Sequence, residues 1–568
     1  MTRLCMKNKQ NWIFVIIIAT ILLIGGILRF YKLGDIPPGL TDDEVNTGYD
    51  AYSLLKTGKD QWGQQYPIFS FKGFGDYRSP VYTYLLLPLL PVFGMTPFWL
   101  KFPAAALGTI TILLLYLIAR KLGFSRVSAF MAAFFLAVNP WHIGMSRVAM
   151  VVVSGVFFLC MGMVLAFYAK KRFIFIISSF VSFALTIYAY PAYLVVTPLC
   201  LMFVSFIQYQ RFQVTRKQLV IGFCIFLCIT VPYLLSSQSS SIGVRMGQVN
   251  IFKDSGTIDL LNEKIGACQK IYPTLICKVT FNKYLTFGSK LAVNYVRHFS
   301  SEILFSHGTI TQFSMLPPRG LLLSVEYFLF CIGIFYAILS FRNIYSLFLL
   351  AIILAAPIPD SVTGDGHYGR FFIILPFIQF IAAYGLGKLL KYFGRLILIP
   401  IVVLLLFETF FFEVEYFSYY PNSFSRYSHY GYEELVTNIY KIKDVYDEIY
   451  VSSRVNDAKQ YIFYLFYTKF DPFLYQTDKS IERIVEPNGW IRVKKIENIY
   501  FVSSFPETDL SVDRNKKILY IGAPSEFPKI FIPSQFEIKD KKEDVIFRAV
   551  TLDDWERCVK ESYIEEIK

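Results

Sequence analysis

The chain has 568 residues, of which 55% are hydrophobic, 18% aromatic and 17% charged, against about 25% charged residues in soluble globular proteins. That balance excludes an ordinary soluble enzyme, a disordered chain and a small disulfide scaffold; a polytopic membrane protein is expected, mainly α-helical. The net charge of +14 is not a nucleic-acid signature. From Pro421 onward 22 Lys and Arg face 25 Asp and Glu, so the positive excess lies in the first 420 residues, largely in short loops between apolar runs. Membrane proteins distribute cytoplasmic charge in this way.

The cations Arg3, Lys7 and Lys9 precede an apolar run from Trp12 to Leu28. Their order resembles a signal peptide, but no small-x-small cleavage site follows, so the run is expected to be an uncleaved first span leading outward. The next apolar piece, Val81 to Phe93, contains Pro88 and Pro91 and is too short to cross, since a span needs about 20 residues. With that piece held outside, Phe102–Ile118 runs inward and Arg120, Lys121 and Arg126 lie in the cytoplasm. The alternation continues with Val127–Val138, Val148–Tyr168, Phe173–Ile187, Ala192–Ile207, Leu219–Leu235, Leu321–Leu339, Ile344–Ile358, Phe371–Leu386 and Leu396–Phe411, and cations collect on one side. About eleven spans are predicted, with a cytoplasmic N-terminus and a C-terminal domain outside the cell membrane.

Residues 1–411 are thus read as the multi-span domain, with external loops at about 29–101 and 236–320, and residues 412–568 as an external α/β domain. The tail opens with Tyr416, Tyr419, Tyr420, Tyr427, Tyr430 and Tyr432, which suits an interfacial aromatic belt. Glu433–Lys443 has the pattern of an amphipathic helix, and Glu448–Ser452, Asn498–Ser503 and Lys517–Ile521 read as short strands. Of nine cysteines, five fall within apolar runs and read as packing residues. Cys268 and Cys277 lie in the second external loop, nine positions apart, and are a disulfide candidate in an oxidising exterior, two free thiols being the alternative.

Ionisable groups in a membrane enzyme belong where apolar walls meet water, and the first external loop is dense in them. It holds Thr41-Asp42-Asp43-Glu44 and, further on, Gly73-Phe74-Gly75-Asp76-Tyr77-Arg78-Ser79-Pro80. Adjacent acids suit a general base, and an arginine at the mouth of a half-buried helix suits a phosphate. The plainer alternative is a solvated acidic turn with an interfacial anchor.

Motif order then narrows the reading. A first span, an external acidic pair, "GDYRSP" with "YTYL", "PAAALGTITILLLYLIARKLG" from Pro103, "NPWHIGMSRVAM" from Asn139 and "HYGRFFIILPF" from His367 together resemble the GT-C membrane glycosyltransferases that use polyprenyl-phosphate sugars. The likeness is to the group of the protein O-mannosyltransferases and the lipid A aminoarabinose transferase, over residues 12 to about 400. It implies an inverting hexosyl- or pentosyltransferase taking its sugar from a polyprenyl-phosphate donor to a protein, lipid or glycan acceptor on the external face. Asp43 matches the family's base, with Glu44 beside it to orient groups or meet the acceptor. Arg78 matches the residue that meets the lipid phosphate, where a guanidinium can bind bidentately and stabilise the leaving charge. His367 and Arg370 match an "HxxR" pattern that contacts the same phosphate; Asp42, Asp76, His142 and Arg147 are supporting groups, with interfacial anchoring as the alternative for the last two.

Two departures stand out. Relatives often carry an acid after "SRxA", where this chain has Met150-Val151-Val152-Val153, and "KPP" is "RSP" here. Too few external carboxylates converge for a strong metal clamp and no histidine pair has ligand spacing, so no cofactor is identified and a divalent metal is a weakly supported alternative. A lipid-linked sugar flippase would share the spans and basic loops, although internal repeats expected of a transporter are absent. A non-catalytic membrane scaffold is the third alternative.

Overall fold

The computed structural model describes residues 2–169, 172–211, 214–236, 251–306, 319–364, 367, 369–425, 428–455, 459–486, 489–505, 515–527 and 533–557. Tyr427, and the loop cations Lys170 and Lys171 between the predicted spans Val148–Tyr168 and Phe173–Ile187, lie outside the described residues. Two compact units result: Met1–Tyr31 with Ala104–Glu413, and Lys32–Pro103 with Val414–Lys568. The first external loop, grouped from the sequence with the multi-span part, therefore shares its unit with the tail.

The first unit is helical. Among the described residues, seven helices are long and apolar enough to cross a membrane: Trp12–Phe30, Pro97–Lys121, Pro191–Arg211, Arg216–Leu235, Ile344–Thr363, Phe372–Phe393 and Arg395–Phe424. Arg126–Val138 and Pro140–Ser146 form a bent pair at 55°, and Val152–Tyr168, Phe173–Ala189 and Ser324–Leu339 are shorter apolar helices. Together they occupy the eleven predicted positions. The chain is an integral membrane protein. Close helix crossings use small residues, as expected where lipid offers no hydrophobic drive. A Cβ on Gly333 would stand 2.0 Å from the Ile381 carbonyl oxygen, and one on Gly385 would stand 2.3 Å from that of Leu329.

Two pieces of sequence meet in the second unit. From the loop come the helix Asp42–Thr57, the strands β1 (Phe71–Lys72) and β2 (Tyr77–Arg78), and the short helices Pro80–Leu86 and Leu90–Phe93. The last two, of seven and four residues, are each too short to span. The tail supplies a seven-stranded sheet from β3 (Glu448–Ser452), β4 (Glu482–Val485), β5 (Ile491–Ile496), β6 (Ile499–Val502), β7 (Ile518–Gly522), β8 (Phe536–Lys539) and β9 (Val545–Thr551), in the order β4-β5-β6-β3-β7-β9-β8. The central pairs β3–β6 and β3–β7 are parallel, with Val451 opposite Phe501 and Ile521. Every residue of β7 is buried, as parallel strands covered on both faces require.

The predicted amphipathic helix is Tyr432–Ile442. The tyrosines around it are not a uniform interfacial belt. Tyr416, Tyr420 and Tyr432 are buried; Tyr416 stacks on Tyr420, and Tyr432 donates its hydroxyl to the Val455 carbonyl while stacking on Phe463. A buried phenol usually finds such a partner, and for Tyr432 the tail's own core supplies it.

Candidate active site

The helix Asp42–Thr57 begins at a reciprocal cap. Thr41 Oγ1 accepts from the Glu44 amide at 3.3 Å, and Glu44 Oε2 accepts from the Thr41 amide at 2.9 Å. Such a box satisfies two of the free amides at a helix start. Gly58 ends the helix at φ +70°, a left-handed conformation that suits glycine, its amide bonded to the Leu54 carbonyl. Glu44 is buried and turned back on the cap, whereas Asp43 projects outward with 57% of its side chain exposed. The two adjacent acids therefore have different surroundings.

Arg78 reaches this helix end from the hairpin. β1 and β2 pair Phe71 with Arg78 and Lys72 with Tyr77, and the Gly73 amide closes the turn on the Asp76 carbonyl at 2.7 Å. Glycine is required at two places in that turn. A Cβ on Gly73 would stand 2.4 Å from Asp76 Oδ1 and 3.0 Å from Arg78 Nε; Gly75, at φ +132°, would bring one to 2.6 Å from Trp490 Cα. With this clearance the Arg78 guanidinium lies over the Phe74 ring at 4.7 Å. It donates through Nη2 to Asp43 Oδ1 at 2.6 Å and through Nη1 to the Asp43 carbonyl at 3.1 Å. The two residues carried by the motifs, 35 positions apart, thus form one ion pair.

Burial alone would lower the Arg78 pKa, but the carboxylates of Asp43, Asp76, Asp42 and Asp50 more than offset it and leave Arg78 above its ordinary value. Asp42 is pushed up to about 6, by burial first and by Asp43 second. Asp50 lies two helical turns on from Asp42 and is fully buried. It accepts from Asn46 Nδ2 at 3.1 Å and from the Gln61 amide and side chain, both at 3.1 Å. Burial and the neighbouring Asp60 push it up to about 8. Tyr461 closes the other side, its ring edge-on to Phe74 at 6.1 Å and its buried hydroxyl without a hydrogen-bond partner among the described residues.

Asp50, Asp60 and Tyr461 were not anticipated. Asp42, Asn46 and Asp50 recur every fourth residue, which places them on one helix face and was a usable signal. Nothing in the sequence ties Tyr461 to that face.

The four remaining candidates belong to the other unit. His142 and Arg147 are wholly buried, so neither is an interfacial anchor. Arg29 Nη2 donates to His142 Nδ1 at 2.8 Å, while Arg147 caps the end of the first span through the Leu28 and Tyr31 carbonyls at 2.9 and 2.7 Å. Arg370 donates to Asp360 Oδ1 at 3.3 Å and Thr363 Oγ1 at 2.7 Å, and His367 Nδ1 accepts from the Gly369 amide at 3.2 Å. Val152 opens its helix with no acid in the first turn. Among the described residues, no group of three or more His, Cys, Asp or Glu is placed to hold a metal ion.

No protein-family model matches the chain, and no curated protein sequence matches it. Solved structures do. ArnT from Cupriavidus metallidurans, bound to undecaprenyl phosphate, aligns with a TM-score of 0.50 at 11% identity, over 95% of this chain and 98% of that one. The chain has the GT-C fold. The archaeal oligosaccharyltransferase AglB from Archaeoglobus fulgidus, in complex with an inhibitory peptide and a dolichol-phosphate, aligns at TM-score 0.47 and 14% identity over 79% of this chain, which spans 64% of that longer protein. The S. cerevisiae protein O-mannosyltransferase complex bound to its sugar donor aligns at TM-score 0.30 and 16% identity, over 42% of this chain and 34% of that one.

Proposed function

We propose that the protein is an integral-membrane glycosyltransferase that moves a sugar from a polyprenyl-phosphate donor to a hydroxyl acceptor on the external face of the cell membrane. The observation that carries this reading is the Asp43–Arg78 pair: an outward carboxylate held by a guanidinium that other acids keep firmly charged. The undecaprenyl phosphate bound in the similar ArnT structure supports the donor class.

In the reaction, Asp43 takes the acceptor proton as the acceptor oxygen attacks the anomeric carbon. The bond from that carbon to the phosphate oxygen breaks with inversion, and the electron pair leaves on the lipid phosphate. Arg78 exchanges one carboxylate for the phosphate and stabilises the charge arriving there. Glu44, committed to the helix cap, holds the Asp43 end of the helix in place.

The test uses the full chain in vesicles with a polyprenyl-phosphate sugar, measuring transfer and donor affinity separately. Asp43→Asn should lower transfer by about 10²–10⁴, the usual range for loss of a general base, while donor affinity stays within a few-fold. Full transfer by that variant refutes the base assignment. Movement of the lipid-linked sugar across the bilayer with its sugar–phosphate bond intact refutes the enzyme reading altogether.

A further inference from the structure

The segment between the helices Arg216–Leu235 and Ser324–Leu339 carries a second feature, unrelated to the acid–arginine pair. Its described part folds as the helices Ser255–Gln269, Thr274–Thr280 and Lys283–Arg297. Cys268 and Cys277 are joined by a disulfide, with Cα atoms 5.7 Å apart, so the turn between the first two helices is covalently closed. Cys277 points inward and is fully buried. The opposite face of the helix Thr274–Thr280 presents Leu275, Ile276 and Val279, flanked by Ile271 and Tyr284, and all five are more than half exposed: Ile271 by 77%, Leu275 by 75% and Tyr284 by 91%.

Five large apolar side chains so exposed within fifteen residues are a concentration of the kind that marks an interaction site. The charge around them is one-sided. From Lys264 to Ser301 there are five lysines and one arginine and no acid, and Lys270, Lys278 and Lys283, all exposed, border the patch. The base of the segment is fixed to a membrane helix. Tyr295 donates to the Leu354 carbonyl at 2.7 Å, Asn294 to that of Ser361 at 3.3 Å, and His298 Nε2 lies 2.8 Å from Asp360 Oδ2. Lys290 in turn ties Lys283–Arg297 to the helix Ser255–Gln269 through Asp254 Oδ2 at 2.6 Å. The helix Lys283–Arg297, about 22 Å long, thus links the patch to the end of a span.

We propose that this disulfide-closed tip is an interfacial anchor that seats Ile271, Leu275, Ile276 and Val279 in the leaflet it faces, with Lys270, Lys278 and Lys283 on anionic phospholipid headgroups. An apolar face bordered by lysines, with tyrosine at the rim, is the composition of a helix that lies in a membrane surface. A second copy of the chain fits less well, because a two-fold contact through this face would set lysines against lysines.

The experiment places the photoreactive residue benzoylphenylalanine at position 275 or 284 of the full chain, with position 263 as the control. The protein is reconstituted in phosphatidylethanolamine vesicles with and without phosphatidylglycerol, and the adducts are identified by mass spectrometry. Lipid adducts at 275 or 284 well above those at 263 are expected, with higher yield when phosphatidylglycerol is present. Replacing Lys270, Lys278 and Lys283 by glutamine should reduce that gain by up to about fivefold per lysine. Adducts at both positions that are solely protein, or lipid adducts no greater than at 263, would overturn the proposal. All three probed side chains are solvent-exposed, so folding is preserved at each.

Discussion

Arginine serves two opposite purposes in the two compact units. Arg78 meets acids: its guanidinium is bonded to Asp43 and lies in the field of Asp42, Asp50 and Asp76. Arg29 and Arg147, both completely buried, meet backbone carbonyls. Arg29 donates to Gly25, Leu136 and Ala137 at 2.8–3.0 Å, and so joins the end of the first span to the end of the helix Arg126–Val138. The last carbonyls of a helix have no partner of their own, and a five-donor fork can satisfy several at once. An arginine on carbonyls is a fixed joint. An arginine on a carboxylate at an exposed edge can trade that carboxylate for another anion.

The comparison breaks most sharply if Arg78 is replaced. Arg78→Ala should lower transfer by about 10²–10³, the range for loss of one charge-stabilising donor, and should weaken donor binding as well. Arg78→Lys should restore part of the binding but less of the rate, since an ammonium lacks the bidentate fork. Equal transfer by the wild type and Arg78→Ala would reduce the pair to a surface contact.

Arg29 should respond in the opposite currency. Arg29→Leu leaves buried carbonyls of Leu136 and Ala137 without their donor, at a cost of about 1–3 kcal/mol for each such group. The expected outcome is a lower melting temperature in detergent, with transfer per folded molecule retained. A variant that melts like the wild type but has lost transfer would move Arg29 from joint to active site.

How much of this could be read in the sequence depended on the range of the interaction. Apolar runs and loop charge placed the helices because a span is a local property of about 20 residues. The strand Glu448–Ser452 was equally legible from β-forming residues between polar breaks. Asp43 and Arg78 came from motif order, and their mutual bond followed only once the hairpin was seen to reach the helix end. Tyr461 could not be found, because its partner Phe74 lies 387 positions away in the chain. Tyr416 and Tyr432 misled for the same reason: a phenol in a core and a phenol at a lipid interface look alike until its hydroxyl partner is known. The stretch Thr41-Asp42-Asp43-Glu44 had a second reading available, since a threonine followed three residues later by a glutamate is a helix-start signature.

The buried acids behind Arg78 sharpen the comparison through pH. Asp50 stands at about 8 in the fold against an ordinary 3.8, so the fold prefers its neutral form. That preference is fully present below about pH 4, erodes as pH rises, and is lost above about 8. Asp42, pushed up to about 6, acts in the same direction over a narrower window. Melting temperature should therefore decline from mildly acidic to mildly alkaline pH, and Asp50→Asn should flatten the decline. A slope unchanged by Asp50→Asn would assign it to other groups.

The smallest effect separates two neighbouring acids that the sequence presents as a pair. Glu44 closes the cap with Thr41 and is buried, while Asp43 points to solvent and to Arg78. If Glu44 serves only the helix start, Glu44→Gln keeps the acceptor that the Thr41 amide needs, and transfer should stay within about twofold, since glutamine occupies this box as well as glutamate. Thr41→Ala removes the other half of the cap and should cost about 1 kcal/mol of stability, read as a modest drop in melting temperature with the pH dependence of transfer unchanged. A large loss of transfer in Glu44→Gln, with melting unaltered, would show that its charge takes part in the reaction. The general base would then be shared between two carboxylates, and Arg78 would be the only residue of the pair whose assignment survived.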